Sequence, residues 1–190
     1  RWVDFDNSYK TMDNTYIESV WWAFKTIHDK GLAYEGRHIS LYCPRCATPL
    51  SNFEIAMDNS YKELVDHSTF PKFKVKGEDK TFFLAWTTTP WTLPGNVALF
   101  VDETADYLLV KQGSEQYYVA KSLAEKVLGE GFSVVEAMKG KKLIGMEYEP
   151  LYTYMPLDGK KAYYVAAADF VSLEDGTGIV HTAAMYGEDD

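Results

Sequence analysis

Small hydroxyl side chains are concentrated in the stretch AWTTTPWTLPGNVALFV, residues 85–101. If the preceding FFLAWTTT is a β-strand, Thr87 and Thr89 lie on one face of it and Thr88 on the other. Pro90 has no N–H to donate to a sheet, so strand pairing is predicted to stop there and to leave the last hydroxyls at a rim. Hydroxyls both donate and accept hydrogen bonds, and a rim of them can hold a water molecule or a ribose. The alternative is that these threonines are ordinary strand residues.

A second group of polar residues lies in DGTGIVHTAAMYGEDD, residues 175–190. On a strand, His181 shares a face with Ile179 and Ala183, and the acids at 188–190 follow a glycine turn. A single histidine on an apolar face is often a core residue, and a run of acids is often solvated surface. This stretch alone therefore does not define a site.

The two cysteines form one C-x-x-C motif, Cys43 and Cys46. A structural zinc ion takes four ligands, so this motif is half a metal site, with His38 as a candidate third ligand. The phosphate-loop, dinucleotide, hydrolase-elbow and zinc-protease motifs do not occur in the sequence. The corresponding chemistries have no support.

The apolar residues of the first part of the chain recur at helical spacing. Residues 13–30 place an apolar side chain every three or four positions, with Asp13 or Asn14 as the N-cap and Gly31 at the end. A short strand then leads into the tight Cys-Pro-Arg-Cys turn. We predict one helix and a Cys-x-x-Cys knuckle for residues 1–50.

Short strand-like runs dominate after Ser51. VKQGSEQYYV is typical of a hairpin, LEDGTGIV of a turn into a strand, and AKSLAEKVLGEG of a helix ending near Gly129 or Gly131. Many short strands with few helices favour a mainly β fold, which we expect to be a β-barrel-like domain over residues 51–190.

Composition limits the class of protein. Of the 190 residues, 46% are hydrophobic and 15% aromatic, which is enough for a packed core, and no apolar run approaches the ~20 residues that span a bilayer. The net charge of −9 is unlike that of a domain that grips nucleic acid mainly through phosphates, so any nucleic-acid contact should involve a few nucleotides. Cysteine usage favours a reducing compartment. The start at Arg1 favours a fragment of a longer protein.

Several motifs together resemble one family. WTTTPWTLPGN resembles the threonine-rich signature of the editing domain of isoleucyl-tRNA synthetases, and Pro90-Trp91-Thr92 separates it from the valyl and leucyl relatives. GTGIVHTAAMYGEDD resembles the second editing motif, a histidine followed nine positions later by an aspartate, here His181 and Asp190. The N-terminal DNSYKTMDNTYIESVWWAFKTIHDKGLAYEG and CPRCATPLSN resemble the part of the synthetase just before that insertion.

The chain departs from the family pattern in two places. Ala184 stands where the family usually has proline, which affects the turn and not the polar groups. The family's insertion continues beyond the point where this chain ends and later returns a second C-x-x-C. We therefore expect an editing domain truncated at its C-terminal end, with zinc bound only if that second cysteine pair were present.

The resemblance implies an aminoacyl-ester hydrolase that removes valine from tRNA(Ile), with valyl-adenylate as a further substrate. It implies partners, namely the tRNA(Ile) acceptor end and the rest of the synthetase chain, and a cytoplasmic location without a membrane. No cofactor is implied for editing, because ATP and magnesium belong to the catalytic domain. The alternative is a non-catalytic barrel that docks the tRNA acceptor end.

The resemblance also implies roles for individual residues. Catalysis falls to one set: Thr87, Thr88, Thr89, His181 and Asp190. Substrate binding falls to Trp86, Thr92 and Asn96, and the half metal site to Cys43 and Cys46. Asp190 would pair with the substrate ammonium, with Glu188 and Asp189 as the local competitors, and His181 would line the side-chain pocket and exclude isoleucine.

Overall fold

The computed structural model of the chain describes residues 4–36, 38–154, 156–183 and Tyr186. Its contacts divide the chain into two compact units, Arg1–Pro49 and Leu50–Asp190. No helix among the described residues is long and apolar enough to cross a membrane.

The N-terminal unit contains the predicted helix and the predicted turn. Helix α1 spans Asn14–Asp29, and Gly31 follows it with φ +72°, a conformation that glycine adopts without strain. Strands β1 (Tyr42–Cys43) and β2 (Thr48–Pro49) pair antiparallel around the Cys-Pro-Arg-Cys turn. The helix is confirmed, whereas strands of two residues each indicate the Cys-x-x-Cys knuckle only weakly.

The C-terminal unit is mainly β, as predicted. Its larger sheet contains β3 (Lys72–Lys74), β4 (Thr81–Leu84), β6 (Asp106–Gln112), β7 (Glu115–Ala120) and β8 (Ser133–Lys139). The strand order is β3-β4-β7-β6-β8, in which only the β4–β7 pair is parallel among the described strands. Strands β6 and β7 form the predicted hairpin, which turns at Gly113.

A smaller sheet carries the second set of strands. It contains β5 (Asn96–Val101), β9 (Tyr164–Ala167) and β10 (Val180–Ala183), in the order β10-β5-β9. Strand β10 is antiparallel to β5, and β9 is parallel to it.

Short helices complete the unit. They are α2 (Asn52–Ile55), α3 (Ala124–Leu128) and 3₁₀ helices at Pro90–Gly95 and Gly140–Lys142. Of these, α3 is the helix predicted from the sequence, and Gly129 follows it with φ +66°.

The described strands do not close into the barrel expected from the sequence. The two sheets are joined through the segment 147–149, whose backbone bonds to β3 on one side (Glu149 N to Lys74 O, 2.8 Å). On the other side, Tyr148 N donates to Tyr163 O, directly before β9, at 3.0 Å. Single bridges, not continuous strand pairing, therefore connect the sheets.

The main core lies where the two sheets face a common interior. Its largest fully buried side chains include Phe73, Phe83, Leu99, Tyr107 and Tyr148. A second cluster under α3 covers the other face of β6 and β7. Because both faces of these strands are covered, they carry nearly continuous apolar runs.

Candidate functional site

The threonine-rich segment leaves the sheet earlier than the sequence predicted. Regular pairing of β4 ends at Leu84, and the last bridge is between Thr87 and Thr69, with N–O distances of 2.8 and 3.0 Å. The N–H of Thr89 donates to Thr87 Oγ1 at 3.0 Å. This local side-chain bond replaces the next ladder bond, so Thr87 is the last paired residue and Thr89 lies in the turn.

The three consecutive threonines have different environments. Thr87 is buried, and its hydroxyl lies 3.2 Å from the hydroxyl of Thr89. Thr88 and Thr89 are exposed. Thr87 therefore anchors the turn, while the exposed Thr89 places its hydroxyl beside that of Thr87.

A cavity of about 430 Å³ opens next to these hydroxyls. Its lining comes from the two polar stretches singled out in the sequence: Trp86, Thr87, Thr88, Thr89, Trp91, Thr92, Val180, His181, Ala183 and Tyr186. The two stretches meet because β10 pairs with β5, and the 3₁₀ helix Pro90–Gly95 directly precedes β5. The antiparallel register brings Ala183 opposite Asn96, at the beginning of β5.

His181 is half-buried and contacts both neighbouring stretches through its ring nitrogens. Nε2 lies 2.8 Å from Thr92 Oγ1, and Nδ1 lies 3.4 Å from Asn96 Nδ2. The Asn96 amide nitrogen also donates to the carbonyls of Ala98 (3.0 Å) and Thr182 (3.3 Å), which identifies it as the NH₂ side of the amide. The two hydrogens of this NH₂ group are shared among the two carbonyls and Nδ1, and the ring tautomer that leaves Nδ1 able to accept carries its proton on Nε2.

Thr92 completes this arrangement. Its hydroxyl donates to Thr89 O at 2.8 Å, so its lone pairs are left to accept from His181 Nε2. The ring of His181 is thereby held at both nitrogens. It forms a fixed part of the cavity wall.

Asn96 lies behind His181 rather than on the cavity lining. It is only 5% exposed, and its Oδ1 accepts a hydrogen bond from Tyr148 Oη at 2.6 Å. Burial raises the pKa of Tyr148 far above its ordinary value, so the hydroxyl keeps the proton that it donates. The substrate-binding role that the resemblance implies for Asn96 stays a prediction; in the structure its amide contacts His181.

Some residues of the site were missing from the sequence-based set. Trp91 lies inside the quoted threonine motif and could have been included on that ground, while Tyr186 lies five residues after His181. Tyr148 is 52 positions from Asn96 and stands in no motif, so no sequence signal pointed to it.

Gly95 allows the ring of Tyr186 to approach the backbone closely. A Cβ at this position would lie 2.7 Å from that ring.

The cysteine pair forms a tight local arrangement. Cys46 N donates to Cys43 Sγ at 3.4 Å, and hydrogen bonds from the backbone amides of Cys46 and Arg45 hold the pKa of the Cys43 thiol below its ordinary value. Within the part of the chain that the structure describes, no group of three or more His, Cys, Asp or Glu side chains could hold a metal. The half metal site at Cys43 and Cys46 stays a prediction.

Asp190, together with its competitors Glu188 and Asp189, lies outside the described residues. The expected pairing of Asp190 with an ammonium group stays a prediction.

The cavity is lined by hydroxyls and by a histidine held at both ring nitrogens, and it lies in a mainly β unit. The family model for class I tRNA synthetases (I, L, M and V) matches residues 1–178. The chain belongs to this family.

Its relatives include isoleucine–tRNA ligases from several bacteria. The enzyme of Clostridium novyi (strain NT) is 56% identical over 189 residues, and that of Thermus thermophilus is 46% identical over 194 residues. Each match covers 100% of this chain and 18% of the relative, so the chain spans less than a fifth of their length.

Two solved structures show a partial likeness. The P. knowlesi cytosolic leucyl-tRNA synthetase editing domain has a TM-score of 0.49 and 16% identity, covering 60% of this chain and 56% of its own. The P. falciparum counterpart in space group P1 has a TM-score of 0.46 and 17% identity, covering 55% of this chain and 42% of its own.

Proposed function

We propose that this chain carries the editing site of an isoleucyl-tRNA synthetase, which hydrolyses valyl-tRNA(Ile) and, as a further substrate, valyl-adenylate. The observation that carries the proposal is the convergence of the Thr87 and Thr89 hydroxyls with the Thr92–His181 pair around one cavity. The identity to isoleucine–tRNA ligases supports the choice of amino acid.

The need for such a site follows from pocket energetics. A pocket built for isoleucine binds valine with only about 1–3 kcal/mol less affinity, because the two differ by one methylene. A second, smaller site that admits valyl esters and excludes isoleucyl esters corrects this error by hydrolysis.

Hydrolysis of an ester requires a positioned water and a fixed ester. Thr89 presents an exposed hydroxyl that the neighbouring Thr87 hydroxyl orients at 3.2 Å, which suits it to hold a water molecule or a ribose hydroxyl. No side-chain nucleophile is needed if the water and the carbonyl are held in reactive orientation. A ribose hydroxyl next to the ester is our proposed aid to deprotonation of the water.

Exclusion of isoleucine requires a pocket lining whose side chains stay in place when a larger ligand approaches. His181 is held at Nε2 by Thr92 and at Nδ1 by Asn96, so its ring cannot turn away to admit a further methylene without losing hydrogen bonds. We assign Asp190 to the substrate ammonium, a charge-assisted contact.

The remaining parts of the reaction belong to the longer protein. We place ATP and magnesium in its catalytic domain, and zinc at Cys43 and Cys46 only where a second cysteine pair completes the ligands. The tRNA(Ile) acceptor end and the rest of the synthetase are the proposed partners.

The test is deacylation by the synthetase that carries this chain, supplied separately with valyl-tRNA(Ile) and isoleucyl-tRNA(Ile). We expect rapid release of valine and slow release of isoleucine. Thr92→Val, which loses the bond to His181, should impair the selectivity, whereas Thr104→Val, beside a different cavity, should not. Valine release at the spontaneous rate would instead indicate a non-catalytic domain that only docks the acceptor end.

A further inference from the structure

The hydrogen bonds behind the cavity form a continuous chain from the core to the site. Tyr148 Oη donates to Asn96 Oδ1 at 2.6 Å, and Asn96 Nδ2 lies 3.4 Å from His181 Nδ1. His181 Nε2 in turn bonds to Thr92 Oγ1 at 2.8 Å. We propose that Tyr148 is a positioning residue that holds His181, through the Asn96 amide, as the rigid wall of the pocket.

Tyr148 is itself unusually well fixed. Its side chain is 2% exposed, and its ring meets Phe73 edge-on at a centroid distance of 5.1 Å and Tyr163 at 6.1 Å. Its backbone lies in the segment that joins the two sheets, where Tyr148 N donates to Tyr163 O and Glu149 N to Lys74 O. Backbone hydrogen bonds to both sides of this segment therefore fix the position from which the Tyr148 hydroxyl reaches Asn96.

The Asn96 amide is held from both of its sides, and Tyr148 holds the oxygen side. An amide turned by 180° would present its oxygen to the carbonyls of Ala98 and Thr182 and to Nδ1 of His181, all of which are acceptors. Tyr148 favours the observed orientation because its O–H donates to the oxygen side. Without that hydroxyl, the buried Oδ1 loses its donor and the amide is held at its nitrogen alone, which loosens its contact with His181.

This inference concerns the same pocket and rests on the proposed function for its link to selectivity. Its physical content, the restraint of the His181 ring, does not depend on any reaction and is measured separately.

The first measurement is the reaction of His181 with diethylpyrocarbonate in the full synthetase, mapped by peptide mass spectrometry. His28 and His67 are exposed and serve as internal references within this chain. Tyr148→Phe should increase the rate at His181 at least threefold relative to these references. An unchanged rate at His181 overturns the proposal whether or not the protein edits.

The matched control is Tyr107→Phe. Tyr107 is also fully buried, but its hydroxyl donates to Gly178 O at 2.6 Å and accepts from Asp102 N at 3.1 Å. Loss of a buried hydroxyl is thus common to both variants, and Tyr107→Phe in addition loosens the turn before β10, which carries His181, so it is a strict control. Only Tyr148→Phe removes the bond to Asn96. An equal increase with Tyr107→Phe would indicate general loosening of the core and would overturn the specific role.

A double variant tests the route through Asn96. If Tyr148 acts through the amide, Tyr148→Phe should add nothing to the reaction rate of His181 once Asn96→Ala is present. A further increase in the double variant contradicts the route.

The second measurement is the ratio of isoleucyl-tRNA(Ile) to valyl-tRNA(Ile) hydrolysis. Tyr148→Phe should raise this ratio about fivefold or more, because a mobile ring admits the larger side chain, and Tyr107→Phe should leave it unchanged. If Tyr148→Phe increases the reactivity of His181 but the wild-type protein hydrolyses neither ester, the proposed function is rejected and the positioning role is retained. An altered reactivity with an unchanged ratio in an active enzyme would reject the role in selectivity.

Discussion

At the scale of single residues, two neighbouring threonines of one motif, Thr87 and Thr89, have different environments and different roles. Thr87 is buried and paired with Thr69, whereas Thr89 lies in the turn with its hydroxyl exposed. The difference comes from the bond between Thr89 N and Thr87 Oγ1, which ends the sheet pairing and turns the chain. The exposed hydroxyl is the one suited to a substrate or water.

We predict that Thr89→Ala slows hydrolysis of valyl-tRNA(Ile) by the full synthetase, because a site hydrogen bond worth on the order of 1–3 kcal/mol is lost. Deacylation of purified valyl-tRNA measures the effect. Thr89→Ser keeps the hydroxyl and should remain close to wild type. Isoleucine-dependent exchange of pyrophosphate into ATP should be unchanged in both variants, and normal deacylation by Thr89→Ala would reduce Thr89 to a turn residue.

We also predict that Asp190→Asn loses most valyl-tRNA hydrolysis, since a neutral amide replaces the charge that binds the substrate ammonium. Asp189→Asn is the matched control, because it removes one charge from the same acidic run and should have a much smaller effect. The nine-residue step from His181 selects Asp190. The reverse ranking of the two variants in the deacylation assay would show that the motif is out of register.

At the scale of elements, the site depends on how β10 reaches the 3₁₀ helix that precedes β5. The turn before β10 passes close to β7: a Cβ at Gly178 would lie 2.4 Å from the Cβ of Ala120, and the residue has φ +72°. Its carbonyl accepts the hydroxyl of Tyr107. Gly178 thus fixes where β10 begins.

Gly178→Ala should therefore lower the free energy of unfolding by more than the cost of a left-handed alanine alone, about 1–2 kcal/mol. Gly113→Ala is the control, since φ there is +62° and a Cβ meets nothing within 4 Å. Urea unfolding of both variants gives the comparison. Equal losses would mean that the contact with Ala120 relaxes without cost.

At the scale of the whole molecule, buried tyrosines link the two sheets. Burial raises the pKa of Tyr107 to about 12, and its hydroxyl joins β6 to the turn before β10. The unfolded chain ionises this group near pH 10, so the stabilisation is fully present below pH 10 and is lost as the pH rises towards 12.

The free energy of unfolding should accordingly fall by about 1 kcal/mol from this group alone between pH 8 and pH 11. Urea unfolding at each pH gives the free energy of unfolding of wild type and of Tyr107→Phe. The contribution of Tyr107 is the difference between the two pH dependences. The variant lacks the titrating group and should show the shallower decline. Identical pH dependence of the two proteins would show that Tyr107 ionises in the folded state at its ordinary pKa.

The sequence by itself determined the local elements and the polar groups of the site. Helix α1, the hairpin of β6 and β7 and the chain reversal at the cysteines follow from short-range spacing and from turn residues, which act over a few positions. The threonine and histidine stretches were identifiable for the same reason, since each motif is contiguous.

Only the tertiary structure decided how these groups are supported. The pairing of β10 with β5 brought His181 to Thr92, and the segment joining the sheets brought Tyr148 to Asn96 across 52 positions. The open sheets, in place of the expected barrel, also follow from long-range pairing. Such contacts depend on the register of distant strands, which is set by packing of the whole core and leaves no periodic trace in the sequence.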